Sequence, residues 1–247
     1  MLLQGFQMPE DDKNRTDFSN PPANEADAVG YTRPAPRILR GFRVYEGWLS
    51  AQEQVGLVAD LRDILREAPL FSPRTPSGAT MSVRMTSAGQ WGWMSDLQGY
   101  RYAPRHPQGS DWPPIPPVLT ALWAELVPQA RPPETCLLNY YGPEAKMGMH
   151  QDRDEGDLSQ PVVSVSLGDE ALFRIGNLER GGRTESLWLR SGDVVVMEGA
   201  ARLRYHGVDR IAAGTSLLLK QPGRINLTMR VVTPHRAVQD RGLGNSA

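Results

Sequence analysis

"PVVSVSLGD" (residues 161–169), "ALFRIGN" (171–177) and "ESLWLRSGDVVVMEG" (185–199) follow one another with little but turn residues between them. Each run is short, rich in Val, Ile, Leu and aromatic residues, and bounded by Gly, Asp, Asn or Ser, which is the composition and punctuation of β-strands. "ETCLLNYY" (134–141) precedes them; "ARLRYHGV" (201–208), "TSLLLK" (215–220) and "RINLTMRVV" (224–232) follow. Short β-rich runs at even spacing read as a sandwich or jelly roll. Upstream, Ser50 to Glu53 form a Ser-x-x-Glu capping box ahead of "QVGLVADLRDIL". This predicts an amphipathic helix with Val55, Leu57, Val58, Leu61 and Leu65 on its core face. Proline permits a second helix start before "VLTALWAELV". The fold class is therefore mixed α/β and mainly β.

Residues 71–117, rich in Pro, Gly, Trp and Tyr, read as short strands and long ordered loops. Residues 1–34 are polar and Pro-rich and read as a flexible arm, residues 35–235 as one domain, and residues 236–247 as a flexible tail. A chain of 247 residues can bury one sizeable core, and 40% apolar with 22% charged residues is ordinary globular usage. The formal net charge of −1 argues against a general polyanion binder, so a nucleic-acid partner has to be held by a local patch. Cys136, the single cysteine, lies in an apolar run. It permits no intrachain disulfide, fits a reducing compartment, and reads as a small core residue rather than a nucleophile. There is neither a basic leader nor an apolar stretch of spanning length, so the expectation is a cytoplasmic protein with no membrane partner.

The chemistry gathers in "YYGPEAKMGMHQDRDE" (140–155). His150 and Asp152 stand two apart at a strand end, so an imidazole and a carboxylate point to one place. His206 in "RLRYHGVDR", at the start of a turn, is the candidate third ligand. Two histidines and one carboxylate leave three positions open, the arrangement favoured by non-haem Fe(II) oxygenases, whereas zinc more often takes a fourth protein ligand. In "GRINLTMRVV", Arg224, Asn226, Thr228 and Arg230 alternate with Ile225, Leu227, Met229 and Val231. If the polar set lines the interior, two guanidiniums are buried there and need anions; a dicarboxylate cosubstrate matches them in charge and geometry. Asn139 and Tyr141, again at i and i+2, can add neutral hydrogen bonds.

With "MTSAGQWGWMSDLQGYRYAP" and the ordered series His150, Asp152, His206, Arg224, Asn226, Arg230, the sequence resembles the AlkB family of Fe(II)- and 2-oxoglutarate-dependent nucleic-acid dealkylases. The match runs over roughly residues 80–232. The resemblance implies a double-stranded β-helix (jelly-roll) core over roughly residues 134–232, flanked by helices, with a nucleotide-recognition lid over roughly 71–117. It implies that His150, Asp152 and His206 ligate Fe(II), and that Arg224 holds the distal carboxylate of 2-oxoglutarate with Asn139, Tyr141, Asn226 and Arg230 completing the site. Trp93, Tyr100, Asp154 and Arg180 then form the substrate pocket. The implied activity, with dioxygen as second cosubstrate, is oxidative demethylation of bases such as 1-methyladenine and 3-methylcytosine. The implied partner is single- or double-stranded DNA or RNA, bound by a monomer. Tyr140 stands where a basic residue is expected. Two other readings remain: a metal-free module that recognises damaged bases, and a related oxygenase acting on a protein side chain or small metabolite. Iron binding separates the first, and a base pocket the second.

Overall fold

The computed structural model describes residues 31–234. The arm expected over 1–34 lies outside these residues except at its last four positions, and the tail expected over 236–247 lies outside them entirely. The described residues from Pro34 on form one unit. Its elements are β1 (Arg37–Leu39), β2 (Phe42–Tyr45), α1 (Ala51–Glu67), β3 (Arg84–Gly89), β4 (Gly92–Asp96), β5 (Gly99–Ala103) and α2 (Pro117–Leu126). There follow β6 (Thr135–Tyr141), β7 (Met147–His150), β8 (Val162–Gly168), β9 (Glu170–Ile175), β10 (Glu185–Leu189), β11 (Val194–Met197), β12 (His206–Ala212) and β13 (Arg224–Arg230).

Two antiparallel sheets result. The larger has the order β1-β2-β11-β8-β13-β6-β3, the smaller β10-β9-β12-β7, and β4 pairs with β5 in a separate ribbon. The expected jelly roll with flanking helices is borne out. Because side chains alternate across a strand, the central strands of the larger sheet serve two layers at once. Val163, Val165, Leu167, Val194, Val196, Leu227 and Met229 face α1 and α2, joining Leu57, Leu61, Leu119 and Trp123 in one apolar core. The other face carries Phe42, Val44, Met85, Leu137 and Met197 around its margin, packed against Phe173 and Ile175 of the smaller sheet. The middle of that inner face is polar.

Helix α1 starts as its capping box requires: Ser50 Oγ accepts from the Glu53 amide at 3.3 Å, and Glu53 Oε2 accepts from the Ser50 amide at 2.7 Å. A cap of this kind contributes about 1 kcal/mol. The buried stripe is Leu57, Val58, Leu61 and Ile64. Val55, expected in the core, is 62% exposed. It precedes Leu57 by two residues, which is roughly 200° around a helix, so it points away from the sheet. Leu65 lies at the stripe's edge, half-buried.

"TSLLLK" is not a strand, contrary to expectation. Its backbone amides and those beside it are drawn to one carboxylate instead: Asp169 accepts from Gly214 N and Ser216 N at 3.0 Å and from Gly223 N at 2.7 Å. Amides tied to a side chain cannot join a ladder. The loop is thereby pinned where it enters β13. No helix among the described residues is long and apolar enough to cross a membrane.

Candidate metal centre

Strand β7 ends at His150 and β12 opens at His206, and the two residues are direct partners across the antiparallel pair. His206 therefore begins a strand rather than the expected turn. Their ring centroids are 4.6 Å apart. Gly207 makes this approach possible, since a Cβ there would lie 2.6 Å from the Met147 carbonyl oxygen and 2.9 Å from that of Gly148. Asp152 follows two residues beyond the end of β7, and the ligand atoms of the three residues all lie within 4.8 Å of one another.

Backbone carbonyls orient both imidazoles. Nδ1 of His150 meets Gly148 O at 2.9 Å, and Nδ1 of His206 meets Arg204 O at 3.0 Å. A carbonyl can only accept, so each Nδ1 carries the proton and each Nε2 presents a lone pair. Those Nε2 atoms lie 3.6 Å and 3.8 Å from the Asp152 carboxylate oxygens. Burial, helped by the neighbouring His150, pushes His206 down to about 4, which keeps it neutral at physiological pH. Burial alone would raise Asp152, but the Arg230 guanidinium and the two imidazoles hold it well below the usual carboxylate range. Burial alone would lower His150, but the Asp152 carboxylate beside it raises it. Two imidazoles and one carboxylate, converging from one side, fit a divalent metal that keeps further positions open.

Deeper in the same cavity stand Arg224, Asn226, Thr228, Arg230, Asn139 and Tyr141, brought together as the alternation of β13 predicts. Arg224 is 1% exposed. Its Nη2 donates to Ser166 Oγ at 2.7 Å and its Nη1 to Leu189 O at 3.4 Å, while its Nε has no partner. No carboxylate touches it, and burial lowers its pKa to about 10. A buried guanidinium without an anion is costly. The site therefore fits a carboxylate; Asn139 Oδ1, also without a partner, is an acceptor and calls for a donor instead. Arg230 differs, because Asp152 Oδ2 (2.8 Å) and Glu155 Oε1 (3.2 Å) already neutralise it. Tyr141 is pushed up to about 12, by burial first, and so remains a hydrogen-bond donor.

Trp93 and Asp154 border the same cavity, and the indole Nε1 donates to Asp154 Oδ2 at 3.0 Å. Tyr100 stands outside it, stacked on Trp93 with centroids 5.5 Å apart and planes 20° from parallel. Arg180 is not brought into the cavity: it lies over the Tyr205 ring at 5.4 Å, in an open cleft shared with Asn177 and Arg204. Tyr140 packs against the helix-side core, with Arg84, its cross-strand partner, 4.8 Å over its ring.

Sequence reasoning missed Tyr102, Ser164, Ser166, Glu155 and Arg202. The serines had a readable signal, since they alternate with valines in "VVSVSLG" and so share the inner face with the polar set of β13. Arg202 and Tyr102 had none.

Residues 41–230 match the 2OG-Fe(II) oxygenase superfamily. An alpha-ketoglutarate-dependent dioxygenase AlkB homolog of Caulobacter vibrioides is 50% identical over 194 residues, 78% of this chain and 88% of the relative. A DNA N(6)-methyladenine demethylase of Arabidopsis thaliana, ALKBH1C, is 31% identical over 82% of this chain and 50% of its own length. The solved structure of OsALKBH1 aligns with a TM-score of 0.68 at 29% identity, over 83% of this chain and 99% of that one. Joined to a metal triad and a buried unpaired arginine in one cavity, these likenesses show that the chain belongs to the 2OG-Fe(II) oxygenase superfamily and, within it, to the AlkB family of dioxygenases.

Proposed function

We propose that this protein oxidatively removes methyl groups from the nitrogens of damaged nucleic-acid bases, consuming 2-oxoglutarate and dioxygen at Fe(II). The observation that carries this reading is the placing of Trp93 and Asp154 on the rim of the cavity that holds the His150, Asp152 and His206 ligand atoms. An aromatic face and a carboxylate beside a metal triad suit a flat, cationic base.

His150 and His206 offer Nε2, and Asp152 a carboxylate oxygen, to the iron. Arg224 takes the distal carboxylate of 2-oxoglutarate, with Asn139, Tyr141, Asn226 and Arg230 completing the polar wall. The bound iron, with 2-oxoglutarate and dioxygen, supplies the oxidant that hydroxylates the N-methyl carbon. The hydroxymethyl amine then falls apart, so that one methylated base, 2-oxoglutarate and dioxygen give the free base, formaldehyde, succinate and carbon dioxide. No protein nucleophile takes part.

A methyl on the Watson–Crick edge is out of reach in a duplex, so the base enters flipped or from a single strand of DNA or RNA. Trp93 stacks on it, a contact of about 1 to 3 kcal/mol. Tyr100 backs the indole, and Arg180 meets the strand's phosphates at the neighbouring cleft. Asp154 favours 1-methyladenine and 3-methylcytosine, which are positively charged near neutral pH. The protein acts as a monomer in the cytoplasm.

The test is incubation with Fe(II), 2-oxoglutarate and oligonucleotides carrying either lesion, as DNA and as RNA, while formaldehyde and succinate are measured. Equal release of both supports the reading. A protein that turns over 2-oxoglutarate yet frees no formaldehyde from any of these substrates refutes it.

A further inference from the structure

We propose that Glu155 is a positioning residue that couples the ribbon carrying Trp93 to the carboxylate of Asp152, with Tyr102 as the ribbon's half of the link. The inference rests on the reading above that Asp152 is a metal ligand and that Trp93 receives the base.

Glu155 is an acid with a 1% exposed side chain, and burying it requires partners. It has three. Tyr102 Oη donates to Oε1 at 2.6 Å, Arg230 Nε lies 3.2 Å from Oε1, and Arg202 Nη2 lies 3.1 Å from Oε2. Both arginines continue to Asp152. Arg230 Nη2 reaches its Oδ2 at 2.8 Å, and Arg202 Nη1 donates to its backbone carbonyl at 2.6 Å. One guanidinium thus fixes the ligand's side chain and the other its main chain, and Glu155 holds both. With Oδ2 engaged by Arg230, Oδ1 is the oxygen left facing His150, at 3.6 Å.

Tyr102 is the one uncharged member of this set and the one that comes from the ribbon. In β4 and β5 it is the direct cross-strand partner of Trp93. The pair grips two consecutive acids of the ligand loop, Trp93 on Asp154 and Tyr102 on Glu155. A base that stacks on Trp93 displaces the ribbon, and the Tyr102 hydroxyl carries that displacement to Glu155, Arg230 and the carboxylate of Asp152. The coupling makes oxidation of 2-oxoglutarate answer to an occupied base pocket. If Glu155 did no more than neutralise two arginines, the hydroxyl of Tyr102 would be dispensable.

Tyr102→Phe separates the two roles, because it keeps the ring and all four charges. Two measurements are made with methylated oligonucleotide: 2-oxoglutarate consumed per formaldehyde released, and the visible absorption of the Co(II)-substituted, 2-oxoglutarate-loaded protein before and after oligonucleotide is added. We expect the wild-type spectrum to shift on addition and that of the variant to stay still. Consumption per formaldehyde should rise roughly tenfold in the variant, the factor that one hydrogen bond to a charged group supplies. Glu155→Gln should lose the spectral response as well and weaken Co(II) binding; if it fails to fold, Tyr102→Phe decides alone. The inference is overturned if the wild-type spectrum ignores the oligonucleotide, or if Tyr102→Phe keeps the wild-type shift and stoichiometry. Absence of formaldehyde from the wild type would refute base demethylation separately, while the Co(II) comparison would still decide the coupling.

Discussion

Strand β13 is a boundary between two regions built on opposite rules. On one side Ile225, Leu227 and Met229 join the helices in a layer of apolar side chains. On the other, Arg224, Asn226, Thr228 and Arg230 line the cavity between the sheets. Both sides are buried, but only the first is self-sufficient. The inner side leaves Arg224 Nε, Arg230 Nη1 and Asn139 Oδ1 without partners. Such atoms raise the energy of the folded protein, and a bound anion can relieve the two guanidinium donors among them. The apolar side thus carries stability and the polar side carries reactivity, within one stretch of seven residues.

The comparison breaks most readily at the ligands. His150→Ala or His206→Ala should reduce demethylation to background by removing one of three protein ligands. His150, with a side chain 41% exposed, should leave the fold nearly untouched, whereas His206 packs against Phe42 and Phe173 and its loss should also lower the melting temperature. Undiminished turnover by either purified variant would refute the metal assignment.

Leu227→Ala, at a side chain with 0% exposure, is the counterpart on the apolar side. It should destabilise the protein by about 2 to 5 kcal/mol in denaturant titration while kcat of the folded fraction stays as it was. A drop in kcat without a loss of stability would mean that the two layers are not independent.

Arg224→Met joins both regions in one experiment. Replacing an unpaired buried cation by an apolar chain should not lower the melting temperature of the protein without cosubstrate. The same change should raise the 2-oxoglutarate concentration needed for half-maximal activity roughly tenfold or more, since a hydrogen bond to a charged group contributes about 1.5 to 3 kcal/mol. The thermal stabilisation that 2-oxoglutarate gives the wild type by mass action should shrink accordingly. Unchanged cosubstrate dependence would show that Arg224 does not hold it.

Asp154→Asn should have the smallest effect. It keeps an acceptor for the Trp93 indole, now made by Asp154 at 3.0 Å, and removes only the charge. Repair of cationic 1-methyladenine should fall about tenfold relative to neutral 1-methylguanine, the factor that corresponds to one pKa unit of charge preference. Equal changes for both lesions would assign Asp154 to holding Trp93 alone.

The alternation in "RINLTMRVV" was legible because period 2 and two chemically opposite environments leave one way to place the strand. The triad was legible only as part of the ordered series with Arg224, Asn226 and Arg230, since a His-x-Asp pair at a strand end is by itself more often a turn or a satisfied surface pair. Val55 was misread although helix periodicity itself sets it roughly 200° from Leu57, off the stripe of Leu57, Leu61 and Ile64. "TSLLLK" was misread because Asp169, 45 residues before Gly214, takes the amides that an apolar run would otherwise give to a ladder. Arg202 was invisible on the same ground: its partners Asp152, Glu155 and Gln160 are 42 to 50 residues away. Interactions that close over such distances leave no periodic trace.

Gly207 bears on how a library of variants of this protein should be read. It has no side chain and lies next to ligand His206, with the Met147 carbonyl 2.6 Å from where a Cβ would stand. Any replacement wedges β12 away from β7 and separates the two imidazoles that the strand pair aligns. In an activity screen the position would therefore score among the chemical residues, although what it contributes is the absence of atoms.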